Sequence, residues 1–175
     1  MNKLADGMIR AAKLDVAFYE KVEADKSMLG QAMLVVVLSS VAAGIGSIGQ
    51  AGMTGILIGT VTALIGWYVW AYLTYFIGTK FLAEPQTRAD HGELLRTIGF
   101  SSAPGIIRIL GIIPGLNAVV NLVAGIWMLI AMVVAVRQAL DYKSTGRAVL
   151  VCIIGWIVQM IFLVLVFSLF GAGLR

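Results

Sequence analysis

Residues 27–79 read SMLGQAMLVVVLSSVAAGIGSIGQAGMTGILIGTVTALIGWYVWAYLTYFIGT, and none of these 53 positions is Asp, Glu, Lys or Arg. One membrane crossing takes about 20 predominantly apolar residues, so the stretch holds two crossings and the turn between them. Gly44, Gly46, Gly49 and Gly52 place that turn, because backbone without a Cβ reverses tightly at little steric cost. Two further uncharged stretches, 28 residues over 109–136 and 27 over 148–174, are also long enough to cross. The 175-residue chain is 60% hydrophobic and 13% charged, with a mean hydropathy of +0.96. No water-facing surface of a domain this size can carry that composition. The sequence predicts an all-α, polytopic membrane bundle.

Five transmembrane helices are expected, behind a cytoplasmic amphipathic segment, which divides the chain into 1–28 and 29–175. In the first segment Lys3, Asp6, Arg10, Lys13 and Glu20 recur at helical spacing opposite Leu4, Met8, Ala12, Val16 and Tyr19. This predicts a helix lying on the membrane surface; its alternative is a solvated helix docked on the spans. The first span is read at 30–48 and the second at 55–81. Gly55, Gly59 and Ala63 recur every fourth residue, which predicts a close helix-packing seam with another helix of this chain or of a neighbouring copy. Trp67, Tyr68, Trp70, Tyr72, Tyr75, Phe76 and Phe81 read as packing and interface anchors rather than a ligand cage.

Residues 80–96 form a polar loop. His91 there has no second histidine at ligand spacing and no cysteine beside it, so no metal site is expected. The third apolar segment, 94–116, is interrupted by Ser101-Ser102-Ala103-Pro104-Gly105, by Gly111 and by Pro114. That predicts a broken third helix. The fourth and fifth spans are read at 117–136 and 148–170.

Basic residues orient the bundle. Lys3, Arg10, Lys13, Lys21 and Lys26 precede the first span, Lys80, Arg88 and Arg96 flank the second loop, and Arg137, Lys143 and Arg147 flank the fourth. The first and third loops carry none, so the amino terminus is expected in the cytoplasm and the carboxyl terminus outside, in a cell inner membrane. Early charges exclude a cleavable signal peptide, leaving the first span as the targeting signal. The net charge of +4 belongs to these flanks and forms no stripe for nucleic acid. Cys152 is the single cysteine and can form no internal disulfide.

Arg108 is the one charge within a span, and holding it at membrane depth costs about 2.5 kcal/mol or more. Its candidate partners are Ser101, Ser102, Asn117, Asn121, Gln159, carbonyls freed near Pro104 and Pro114, a lipid phosphate, or the outer interface. In the functional reading, a half-helix starting at the break points its positive end at an anionic ligand beside Arg108. In the structural reading, serines re-satisfy a proline-kinked helix while Arg108 snorkels outward or braces carbonyls. The second asks for less. No triad, phosphate loop or paired intramembrane carboxylates occur, so neither an enzyme nor a bound cofactor is expected.

The run Glu93-Leu94-Leu95-Arg96-Thr97-Ile98-Gly99-Phe100 into Ser101–Gly105, with Trp127, the Arg137-Gln138-Ala139-Leu140-Asp141 turn and the opening Asp15-Val16-Ala17-Phe18-Tyr19-Glu20-Lys21-Val22-Glu23-Ala24-Asp25, resembles the bacterial branch of the Yip family. The likeness covers nearly the whole chain. It implies five spans, a cytoplasmic amino terminus, self-association or pairing with related membrane proteins, and no catalytic or cofactor residue. The long amino-terminal region that eukaryotic members link to Rab-type GTPases has no counterpart here. The expected function is membrane organisation or scaffolding through oligomerisation, using the loops at 80–96 and 137–147. The alternative is a small transporter or lipid-handling protein with an anion site at the third helix, for which an anionic lipid is the candidate partner. A cavity reaching Arg108 separates the two.

Overall fold

The computed structural model describes residues 3–171, and their side chains except at 50, 51, 162, 163 and 165–171. These residues form seven helices and no strand: α1 (Lys3–Ala12), α2 (Val16–Ala24), α3 (Leu29–Gly46), α4 (Ile48–Lys80), α5 (His91–Ser101), α6 (Asn117–Ala139) and α7 (Thr145–Gly171). Among the described residues, three segments, Lys26–Gly46, Gly52–Lys80 and Asn117–Ala139, are long and apolar enough to cross a membrane, and Thr145–Ile161 is an apolar part of α7. Arg175, and with it the expected outward carboxyl terminus, lies outside the described residues.

The single amphipathic helix expected over 1–26 is two helices, α1 and α2. Leu14 takes a left-handed φ of 61°, and Asp15 caps α2 by accepting from the Phe18 amide at 3.2 Å. An Asp at this position stabilises a new helix start better than helix continuation. Arg10 and Asp15 pair at 2.7 Å, and the Tyr19 hydroxyl donates to the Ala11 carbonyl, closing a hairpin. Its buried face (Ala11, Phe18, Tyr19, Val22) joins Met28, Ala32, Val35, Phe100 and Ala135 in one core. The hairpin packs against α3, α5 and α6.

A second core gathers α4, α5, α6 and α7 around Leu94, Ile98, Val136, Leu140 and Val151. Helix α5 lies between the two cores and is buried from Leu94 to Ser101. It begins at His91, inside the expected 80–96 loop, because Asp90 and Glu93 form a reciprocal capping box. After Ser101 the chain continues as a 3₁₀ stretch over Ala103–Ile112, with Pro104 buried in its first turn.

This stretch runs parallel to α3 at very short distance. A Cβ at Gly99 would lie 2.8 Å from that of Ala32, one at Gly105 would strike Ser39, and one at Gly46 would strike the Arg108 carbonyl. The close seam within the chain is therefore on α3. Helix α4 meets α3 on another side, where Gly44 admits Ile56 and Ser40 lies 3.3 Å from Thr60. Gly55 is half-buried, while Gly59 is exposed with open space where a Cβ would stand. Among the described side chains, none approaches Gly59. The reversal expected from the glycines falls at Ser47, and Gly52 (φ 62°) breaks α4 four residues beyond its start.

Candidate functional site

The three-residue turn of a 3₁₀ helix puts Ser102, Gly105, Arg108 and Gly111 on one ridge. Gly105 and Gly111 bring that ridge against Ser39 and Gly46. Arg108 thereby reaches a cavity of about 420 Å³ enclosed by α3, α4, α5, α6 and α7, with Ser39 and Ser40 from α3, Trp67 and Trp70 from α4, and Gln159 from α7. Ser101, Ser102 and Ala63 line it too. Leu129 at its edge is 56% exposed, so the cavity opens on the side of the bundle, where acyl chains would stand.

Its electrostatics are one-sided. Arg108 Nε is buried and has no hydrogen-bond partner among the described residues, and Trp70 Nε1 is in the same condition. Neither of the ion pairs among those residues includes Arg108. Buried donors left unpaired cost about 1–3 kcal/mol each, and more when charged. The serines differ: Ser101 Oγ donates to the Ile98 carbonyl at 2.7 Å and Ser40 Oγ to Val37 at 2.9 Å. Their protons are engaged and their lone pairs still accept.

Of the candidate site residues, Arg108, Ser101, Ser102 and Gln159 therefore come together. Pro104 is buried in the 3₁₀ stretch. Asn117 and Asn121 belong elsewhere: Asn117 Nδ2 donates to the Gly46 carbonyl at 2.7 Å, and Asn121 Nδ2 donates to the Asn117 carbonyl at 2.9 Å. Asn117 thereby satisfies a carbonyl at the end of α3. Ser101 bonds a backbone carbonyl, as the structural reading asks of it. The bracing of carbonyls by Arg108 Nε is absent among the described residues.

Sequence reasoning missed two features. Arg96, read as an interfacial flank, is 4% exposed. Its Nε donates to the Val22 carbonyl at 3.0 Å, and its Nη2 to the Glu23 carbonyl, so it caps the carboxyl end of α2. Trp127 Nε1 holds the end of α1 through the Ala12 carbonyl at 2.8 Å. A buried arginine and a flanking arginine look alike in sequence, and no signal separates them here. Three tyrosines surround His91: the rings of Tyr68, Tyr72 and Tyr75 stand 4.9, 5.7 and 6.3 Å from its ring. No group of three potential metal ligands occurs among the described residues.

The Yip1 domain family matches residues 15–167. The chain belongs to that family. Yip proteins are non-enzymatic membrane proteins. The Yip1 domain match takes in α2, the second core and every residue named around the cavity, while Ala11 of the first core lies before it. Neither the curated proteins nor the solved structures contain a match.

Proposed function

We propose that this Yip1-domain protein acts without catalysis, as a lipid-handling protein of the inner membrane whose working site is the cavity at Arg108. The observation carrying this reading is the pair of buried, unpartnered donors, Arg108 Nε and Trp70 Nε1, on side chains lining one laterally open cavity. A charge at membrane depth is expensive unless matched, and an anionic group is the match these donors ask for. In this reading the amino terminus is cytoplasmic, the carboxyl terminus is outside, and the third crossing is the α5 and 3₁₀ segment. The test is a thermal melt in nanodiscs with and without anionic lipid. Anionic lipid should raise the wild-type melt; Arg108→Leu should abolish the rise without lowering the lipid-free melt. A rise that survives Arg108→Leu removes the cavity from the function.

Scaffolding is the second reading, and one observation favours it. The two cytoplasmic loops are joined: Arg147 pairs with Glu84 at 3.1 Å, and Gln86 Nε2 donates to the Asp141 carbonyl at 3.1 Å. A joined loop surface can present one face to a partner or to a second copy. Crosslinking through the 81–90 loop in membranes tests it, and a monomer with no crosslinked product would reject it.

A further inference from the structure

We infer that the Arg108 cavity receives the headgroup of a monoanionic phosphodiester lipid bearing a polyol, the phosphatidylglycerol class. This rests on the anion-site reading above and goes further by naming the ligand's chemistry. Among the described residues lining the cavity, Arg108 is the one charged side chain, and no carboxylate joins it. One fixed positive charge in a low-dielectric site balances one negative charge. A phosphatidate, which can carry a second charge, or a lipid with two phosphates would leave a charge unmatched there. A zwitterionic head brings an ammonium that finds no carboxylate.

The neutral groups describe the rest of the head. Trp70 Nε1 and the Gln159 amide are donors suited to the remaining phosphate oxygens. Ser40 and Ser101, whose protons are given to Val37 and Ile98, can only accept. Acceptors of that kind suit hydroxyl groups, and a glycerol head supplies them. The opening beside Leu129 lets the head enter sideways while the acyl chains stay in the leaflet. The volume of about 420 Å³ lies within the range of small-molecule sites, about 300–1,000 Å³.

The experiment is a melt series on the full chain in phosphatidylcholine nanodiscs doped equally with phosphatidylglycerol, phosphatidylethanolamine, phosphatidylserine or phosphatidate. Glycerol phosphate without acyl chains is the soluble control. Phosphatidylglycerol should give the largest rise, phosphatidylethanolamine none, and the soluble control none at matched concentration. Arg108→Leu should abolish the phosphatidylglycerol rise. Trp70→Phe keeps the ring and loses the donor, so it should weaken apparent phosphatidylglycerol affinity about 2- to 10-fold with an unchanged melt in phosphatidylcholine alone. Equal rises from all anionic lipids, all lost in Arg108→Leu, would overturn the headgroup assignment and leave the anion site standing. A phosphatidylglycerol rise unaffected by Arg108→Leu and Trp70→Phe would overturn both. A rise with soluble glycerol phosphate equal to that with the lipid would overturn the lipid as ligand.

Discussion

Arg96 spends its guanidinium on backbone: it donates to the Val22 and Glu23 carbonyls from a position 4% exposed. Those carbonyls end α2 and have no helical partner of their own. Arg96→Leu should therefore release the α1–α2 hairpin and cost about 2 kcal/mol or more, read as a lower melt and faster amide exchange in α2. Arg96→Lys should recover part of the loss, since a single ammonium cannot reproduce the planar fork. The same corner carries a pH dependence. Glu23 is pushed up to about 7, first by burial and then by Asp141, Glu93 and Glu20, with Arg96 opposing. Glu93 is raised as well, again chiefly by burial, with its hydrogen bond from the Asp90 amide opposing. A carboxyl that holds its proton more tightly when docked favours docking most below its ordinary value of 4.5, and that advantage is lost as pH rises through about 7. Protease cleavage after Lys21 should accelerate between pH 6 and 8, and Glu23→Gln should flatten the change. Slower cleavage at the higher pH would contradict this account.

At the scale of elements, α3 and the 3₁₀ stretch hold the cavity's wall. Gly105 admits Ser39, and Met128 Sδ would lie 2.8 Å from a Cβ there. Gly105→Leu should overpack this contact and destabilise the fold by about 1–3 kcal/mol or more. Gly59→Leu, by contrast, should leave the monomer's melt unchanged, because no described side chain lies within 4 Å of a Cβ at Gly59. A change in particle size alone, seen by light scattering in detergent, would locate a neighbouring copy on that face of α4. The contrast explains what was legible in the sequence. A search for small residues every fourth position suits α-helix against α-helix and finds Gly55, Gly59 and Ala63. Gly99, Gly105 and Gly111 are spaced by six, two turns of a three-residue helix, and only the change to 3₁₀ geometry gives that spacing meaning. Hydropathy cannot announce the change, since Ile106, Ile107, Ile109 and Leu110 are equally apolar in either helix. The site was half legible for a related reason. Arg108 declares itself as a charge in an apolar run, but Trp70 and Ser40 belong to the site only through the register of α3 and α4.

For the whole molecule, the question is how many times the chain crosses, when three segments meet the length and apolarity of a span by themselves. Helix α5 and its 3₁₀ continuation fall short as an α-helix, yet they accompany α3 from near its start to its end: Gly99 lies at Ala32, Gly105 at Ser39 and Gly111 at Gly46. From Ala32 to Gly46, α3 climbs about 21 Å at about 1.5 Å per residue. From Gly99 to Gly111, two α-helical steps and ten 3₁₀ steps of about 2.0 Å climb about 23 Å. Twelve residues keep pace with fourteen because the helix is drawn out, so wherever α3 crosses, this segment crosses in the same direction. Helix α7 pairs antiparallel with α4, with Gly155 against Trp70 and the Arg147 side chain on the Leu82 carbonyl, which makes it parallel to α3 as well. The expected outcome is five crossings, with 81–90 and 140–144 on the side of the amino terminus and the turn at 113–116 on the other. Single cysteines placed in a Cys152→Ala background at Thr87, Lys143 and Gly115 test this by labelling intact cells with a membrane-impermeant thiol reagent. Gly115 should label from outside, whereas Thr87 and Lys143 should label only after lysis. Protection of Gly115 until lysis would mean that the 3₁₀ stretch re-enters without crossing, and α6 would then have to run the opposite way from the one its packing against α5 and the 3₁₀ stretch requires.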